Sequence, residues 1–326
     1  MPLRVRYMSN IDIPKLIEDK KDEYGELINR AFITFKLVLE GPIHVGVGGR
    51  EFYSPSLKIR SLSGTEYLYI PEQSVRGVLR KISEWLAKSS PNMFPQPEDQ
   101  LVKVHVEPEG DIIRHLNIPN IVNSIARKGN EGLLKEFIPD EEVDYIIEKV
   151  TKNEASDEIL KKLEPMLAML CPICRLWGAP GLRSKVIIKD VLIKGFKVHP
   201  YTRVSIDRRS NTQMPGRLFS IEKIYIDSIN VEMIVNNVVP KSSEALILAA
   251  LIEYIDKVGI SIGGMKSIGF GHAKLDKQGS QVTYVDYRSV CSGTNKSNEC
   301  IDILINPKEK GIKLSIDEYV KLLRGR

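Results

Sequence analysis

The sequence predicts an α+β fold, with a ferredoxin-like antiparallel sheet and helices on one face. Three observations carry this reading. Residues 31–40 alternate at the two-residue period of a half-buried strand, with Ala31, Ile33, Phe35, Leu37 and Leu39 on one side. Ser74–Lys88 and Ser243–Val258 carry apolar stripes at helical spacing. Alternation then returns in Ile224–Val235, where Ile229, Val231, Met233 and Val235 are interleaved with Asn230, Glu232 and Ile234.

Taken in order, residues 1–30 read as a polar arm with a short helix. The first strand runs into a turn, Gly41-Pro42-Ile43-His44-Val45-Gly46-Val47-Gly48-Gly49. Ser74 is the expected N-cap of the first long helix, whose stripe is Val75, Val78, Leu79, Ile82, Trp85 and Leu86. Arg76 and Arg80 lie four apart on another face. Residues 91–170 open on Pro91, Pro95 and Pro97, then turn helical and acidic, and read as an insertion. The core therefore spans residues 31–90 and 171–290. Its second part begins with a strand over Lys185–Lys194 and ends in a hairpin, Gly269–Leu275 and Gln281–Tyr287, turning at Lys277-Gln278-Gly279-Ser280. Residues 291–326 are a C-terminal extension. Trp85 and Trp177 are expected in the core. The element order is β, α, insertion, ββ, α, ββ.

Bulk composition excludes several classes. At 326 residues, with 42% hydrophobic and 27% charged side chains, the chain has the makings of a globular core. No apolar run approaches the roughly 20 residues that span a bilayer, and the N-terminus lacks the apolar block of a signal peptide. A cytoplasmic location is expected. Four cysteines are too few for a disulfide scaffold of this size, and Cys291 and Cys300 carry no assignment. The net charge of +5 is mildly basic. Its distribution says more, because Arg175, Lys185, Lys194, Lys197, Arg203, Arg208, Arg209, Arg217 and Lys223 fall in one stretch with few acids. Such a stretch is either a solvated surface or the footprint of a polyanion.

Glycine-rich loops flank that stretch. In the first, Gly46, Gly48 and Gly49 free the backbone; in the second, Gly263-Gly264-Met265-Lys266-Ser267-Ile268-Gly269-Phe270-Gly271, so do Gly264 and Gly269. Amides in such loops hold phosphate oxygens, Lys266 adds charge, and Phe270 offers a ring to a base. A tight turn satisfies the same pattern. Neither loop fits a P-loop or a dinucleotide fingerprint. Cys171-Pro172-Ile173-Cys174 would present two thiolates to one tetrahedral metal, the alternative being two buried cysteines. No thioredoxin-like βαβ pattern surrounds it, which argues against a redox pair.

Four segments together resemble the RAMP superfamily, the repeat-associated proteins of CRISPR–Cas systems. They are the early strand with its Gly-Pro-Ile-His-Val-Gly turn, the Ile70-Pro71-Glu72-Gln73-Ser74-Val75-Arg76-Gly77-Val78-Leu79-Arg80 strand-to-helix step, Ser205-Ile206-Asp207-Arg208-Arg209 followed by Leu218-Phe219-Ser220-Ile221-Glu222, and the Gly263–Gly271 loop. The second and third are similar to segments of backbone subunits in type III complexes. The resemblance implies a modified RRM-like core with a β-hairpin thumb, here about residues 199–224. Its tip would be Asn211–Gly216, flanked by Arg203, Arg208, Arg209 and Arg217, with Met214 placed to wedge between bases.

The implied function is a guide-RNA-binding backbone subunit of a type III CRISPR ribonucleoprotein in antiviral defence. Its partners would be guide RNA, target RNA, other RAMP subunits and the large polymerase-like subunit, with no membrane. The expected RNA-binding set joins His44, Ser74, Arg76 and Arg80 to the thumb residues and the glycine-loop residues above. Some archaeal members of the resembled group carry structural zinc near such a Cys-x-x-Cys step, which would make His105 and His115 of the insertion the further ligands. The alternative is an RNA endonuclease of the same superfamily, metal-dependent, slicing targets or processing guides. No catalytic residue is assigned. A guide-processing enzyme would use His44. In resembled slicing subunits an aspartate precedes a residue-Pro pair, and here Tyr53 stands before Ser54-Pro55, with Glu51 the nearest acid.

Overall fold

A computed structural model of the chain describes residues 13–46, 53–90, 125, 129–152, 154, 156–292 and 297–326. In chain order its strands are β1 (Asn29–Leu39), β2 (Tyr53–Ser54), β3 (Lys58–Arg60), β4 (Glu66–Ile70), β5 (Val186–Ile188), β6 (Val191–Ile193), β7 (Lys197–Ile206), β8 (Gln213–Tyr225), β9 (Ser228–Asn236), β10 (Ile260–Ser261), β11 (His272–Asp286) and β12 (Ile312–Leu314). Its helices are α1 (Ile13–Gly25), α2 (Glu72–Ser89), α3 (Glu131–Lys135), α4 (Asp140–Thr151), α5 (Asp157–Ala168), α6 (Pro172–Trp177), α7 (Ser243–Lys257), α8 (Tyr287–Cys291), α9 (Ser297–Ile305), α10 (Pro307–Lys310) and α11 (Ile316–Arg324).

The main sheet runs β10-β11-β1-β9-β5, every neighbour antiparallel, with β12 also pairing β11. The predicted α+β, RRM-like layering is what forms. β1 lies at the centre because its alternation is clean: Ala31, Ile33, Phe35 and Leu37 are each 1% exposed. Burying each of the larger three contributes about 1.5–3 kcal/mol. α7 covers this face, with α2 and α11 packed beside it. Ser242 caps α7, its Oγ accepting from the Ala245 amide at 3.2 Å. A three-stranded sheet, β2-β8-β7, carries the β7–β8 hairpin, and a second, β3-β4-β6, stands in front of α2. No helix among the described residues is long and apolar enough to cross a membrane.

Several expectations need correction. The predicted turn at Lys277–Ser280 is a bulge within one long strand. β1 pairs Thr34 with Gln281 and Lys36 with Asp276, and the residues between loop out. The Asp276 carboxylate holds that loop by accepting from the amides of Gln278 and Gly279. The strand expected over Lys185–Lys194 breaks in two, β5 pairing β9 and β6 pairing β4. Ser74 is not the N-cap of α2. The helix starts at Glu72, and the Asp190 carboxylate accepts from the Glu72 amide at 2.7 Å. A cap supplied from 118 residues away leaves no local signal. Trp177 is buried as expected, but Trp85 is 54% exposed.

The C-terminal residues complete the core. β12 adds an edge to the main sheet, and Ile316, Tyr319 and Leu323 of α11 are buried in the common core. Cys291 and Cys300, unassigned from the sequence, form a disulfide joining α8 to α9.

Candidate nucleic-acid interface

The β7–β8 hairpin is the thumb-like element, and its two faces differ. Antiparallel register sets His199 opposite Lys223, Tyr201 opposite Ile221, and Arg203 opposite Phe219, with Lys197 opposite Tyr225. Because strand side chains alternate, these residues share one face. That face interleaves cations with rings. The Lys223 ammonium sits 3.6 Å from the Tyr201 ring centroid and 5.6 Å from that of Phe270. The Arg203 guanidinium lies 5.9 Å from Phe219, and His199 meets Tyr225 edge-on at 5.4 Å. Such contacts are worth about 0.5–1 kcal/mol each where exposed, enough to hold charges over rings before a ligand arrives. None of these residues is acidic. Glu222 falls on the opposite face, where it accepts from the Ser56 amide and from Lys58.

The hairpin tip is Asp207–Thr212, earlier than the predicted Asn211–Gly216. Asp207 accepts from the Arg209 amide, and Asn211 takes the left-handed conformation that a tight turn needs. Arg208 and Arg209 are exposed there. Met214 lies half-buried in β8, past the tip. Arg217 falls in β8, its side chain outside the described residues.

The glycine loops use their amides on each other. Gly264 donates to the His44 carbonyl at 2.7 Å, and Gly271 donates to that of Pro42 at 2.8 Å. The Gly269 amide reaches the Lys266 carbonyl at 3.1 Å. Gly46 bridges to Ser56. The tight-turn reading therefore describes Gly264, which closes on the His44 backbone, and Gly269, which takes the left-handed φ of +87°. Phe270 is 4% exposed beneath Lys223, which removes it as a stacking platform. Lys266 stands on a short 3-10 turn in the loop, and burial pushes its ammonium pKa down.

His44 is 4% exposed. Its Nδ1 is 3.0 Å from the Glu222 carbonyl, an N–H donating to it, and 3.3 Å from Ser56 Oγ. An imidazole so placed pins the first loop to β8. Arg76 donates to Ser184 Oγ and the Val186 carbonyl, and pairs with Glu72. Arg80 donates to the Gly178 carbonyl and pairs with Glu84. Both arginines bind α2 to the segment between α6 and β5. Ser74 lies in the first turn of α2. Gly48, Gly49 and Glu51 lie outside the described residues, as does the side chain of Tyr53.

Cys171 and Cys174 open α6, 2% and 0% exposed. A hydrogen bond with Cys171, together with burial, pushes the Cys174 thiol pKa up. His105 and His115 lie outside the described residues. Among the described residues no group of three metal-ligating side chains forms.

Sequence reading thus found the thumb arginines but passed over Tyr201, Phe219, Lys223 and Tyr225 as a set. The usable signal was the two-residue alternation of His199-x-Tyr201-x-Arg203 against Phe219-x-x-x-Lys223-x-Tyr225. A family model described as the RAMP superfamily matches residues 36–274, which include β7, β8 and both glycine loops. The chain belongs to the RAMP superfamily. No curated protein matches it. RAMP membership associates the chain with RNA and with CRISPR effector complexes, and a cationic, aromatic hairpin face is the surface such an association needs.

Proposed function

We propose that this RAMP protein is a guide-RNA-binding backbone subunit of a type III CRISPR ribonucleoprotein, acting in the cytoplasm beside other RAMP subunits and a large polymerase-like subunit. The observation that carries the reading is the acid-free hairpin face of Lys197, Tyr201, Arg203 and Lys223. Its cations would meet phosphates and its rings would meet bases. That is a grip without sequence preference, as suits a guide holder whose target is read by base pairing. Arg208 and Arg209 extend the grip at the tip. The endonuclease alternative gains no support from His44, whose ring is committed to a backbone carbonyl.

The test is filter binding of single-stranded RNAs over a salt series. Affinity is expected to fall steeply with salt and to vary little with sequence. Replacing Arg203 and Lys223 by alanine should flatten the slope of log K against log salt by about 1.4, at ~0.7 per lost phosphate contact. A flat wild-type salt response, or a strong preference for one base sequence, would remove the reading.

Structural zinc is proposed at Cys171 and Cys174, with His105 and His115 completing the ligand set. The two thiols fit half of a tetrahedral site, having two residues between them on one turn and being shielded from solvent. About one zinc per chain is expected on metal analysis. The Cys171→Ser, Cys174→Ser double variant should lose both the metal and thermal stability. A metal-free wild type that melts like the double variant takes zinc out of the proposal.

A further inference from the structure

A cleft of about 600 Å³ lies between α2, the end of α7 and the edge strand β10, with Lys266 of the glycine loop in its lining. Trp85 and Tyr254 supply aromatic surface, and Lys81, Lys266 and His272 supply the polar groups. Three features of it have no structural explanation among the described residues. Trp85 leaves more than half its surface in water although it begins a turn from the core. Lys266 has no carboxylate partner among the described residues, whereas Lys81 reaches Glu84 and His272 reaches Glu40. Gly77 lies within α2, where glycine costs roughly 0.8–1.0 kcal/mol relative to alanine. A Cβ built on it meets nothing within 4 Å. Packing therefore does not require that glycine; the open space beside it is part of the cleft that Gly77 lines.

We infer that this cleft receives one nucleotide of the bound RNA, its base against Trp85 and its phosphate at Lys266. The inference rests on the RNA-binding reading and adds a second point of contact to it. An exposed indole offers a base a broad stacking surface, and an ammonium with no carboxylate partner among the described residues calls for an anion. Lys81, 6.0 Å from the Trp85 ring, adds a second cation on the same side. The low polarity around Lys266 that depresses its pKa also strengthens its attraction for a phosphate. Lys266 and Phe270 belong to one loop, and Phe270 underlies Lys223. That loop thus touches both the hairpin base and the cleft.

Tryptophan fluorescence of the full chain tests this, because Trp177 is 2% exposed and only Trp85 is open to a quencher. Adenosine and uridine 5′-monophosphates are expected to quench emission saturably, and inorganic phosphate is not. Gly77→Leu fills that part of the cleft with a better helix former, so it should melt no lower than wild type yet abolish the quenching. Gly77→Leu and Trp85→Ala should each weaken single-stranded RNA binding about tenfold, as expected for one lost base–aromatic stack, and Trp85→Phe should restore most of it. The inference is overturned if wild type binds RNA but neither variant changes the affinity and no nucleotide quenches. It is equally overturned if the variants disturb only association between protein subunits. Failure of wild type to bind RNA at low salt would strike the proposed function instead, and the nucleotide titration would then decide the cleft alone.

Discussion

Glu244→Ala is expected to destabilise the protein by about 3–5 kcal/mol, the range for removing one partner of a buried ion pair. Glu244 and Arg175 are both 0% exposed. The guanidinium grips the carboxylate through Nε at 2.7 Å and Nη2 at 3.1 Å, and Lys185 donates to the same carboxylate at 2.9 Å. Lys185 also holds Glu23, and Arg175 Nη1 donates to the Met169 carbonyl. The cluster thus ties α1, α6, α7 and the lead-in to β5 at one point. Removing Glu244 strands a fully buried guanidinium. Burial alone would push the Glu244 carboxyl pKa up, but Arg175 and Lys185 outweigh it and hold it well below the usual range. The sign follows from that depression. The contribution is complete above the unfolded pKa of about 4.3 and is lost as pH falls through the folded value. Urea unfolding of wild type and Glu244→Gln should therefore show a large gap at pH 7 that narrows in acid. Equal stabilities at pH 7 would mean that the cluster contributes nothing.

The second large effect is expected at Gly271→Ala. Gly271 has φ +70°, and an added Cβ would lie 1.9 Å from the Ile262 carbonyl oxygen. Alanine pays about 1–2 kcal/mol for the left-handed conformation alone, and relief of the clash must move β10 or the loop. That motion also breaks the donation from Gly271 to Pro42 that joins the two glycine loops. Gly269→Ala is the control. Its φ is +87°, but a Cβ there meets nothing within 4 Å, so only the conformational cost applies. Chemical denaturation should rank Gly271→Ala well below Gly269→Ala, with RNA affinity falling in the same order. Equal losses would leave φ as the whole explanation and the close approach without consequence.

These residues also mark where sequence reading stops. Periodicity identified β1, β9 and α7, because their burial is set by neighbours one or two turns away. It placed Arg175 and Lys185 in a basic surface stretch, because charge type does not reveal that Glu244 waits 59 and 69 residues further on. It read Gly-Phe-Gly at 269–271 as a presented ring, since nothing local shows that the hairpin base covers Phe270. It gave a turn to Lys277–Ser280, where the composition suits a turn and only the continuing partner strand makes it a bulge. The thumb was legible as an arginine-rich segment. Its working face was not, because that face exists only once β7 and β8 are paired in register.

The central place of β1 sets terms for how the molecule is made. Its apolar side chains emerge well before its partners, because its ladders are with β9 and β11, the latter some 244 residues away as judged by the Lys36–Ser280 hydrogen bond. At roughly 5–20 residues per second, that strand waits on the order of ten to fifty seconds for its second neighbour. Closure then also requires β12 and α11, which follow β11 in the chain. Acquisition of the native state is therefore held back until those elements have emerged, and contacts this distant in sequence make the final collapse slow. A ribosome-bound chain stopped before β11 would display Ala31, Ile33, Phe35 and Leu37 on a strand with one open edge, the kind of surface that recruits chaperones or other nascent chains.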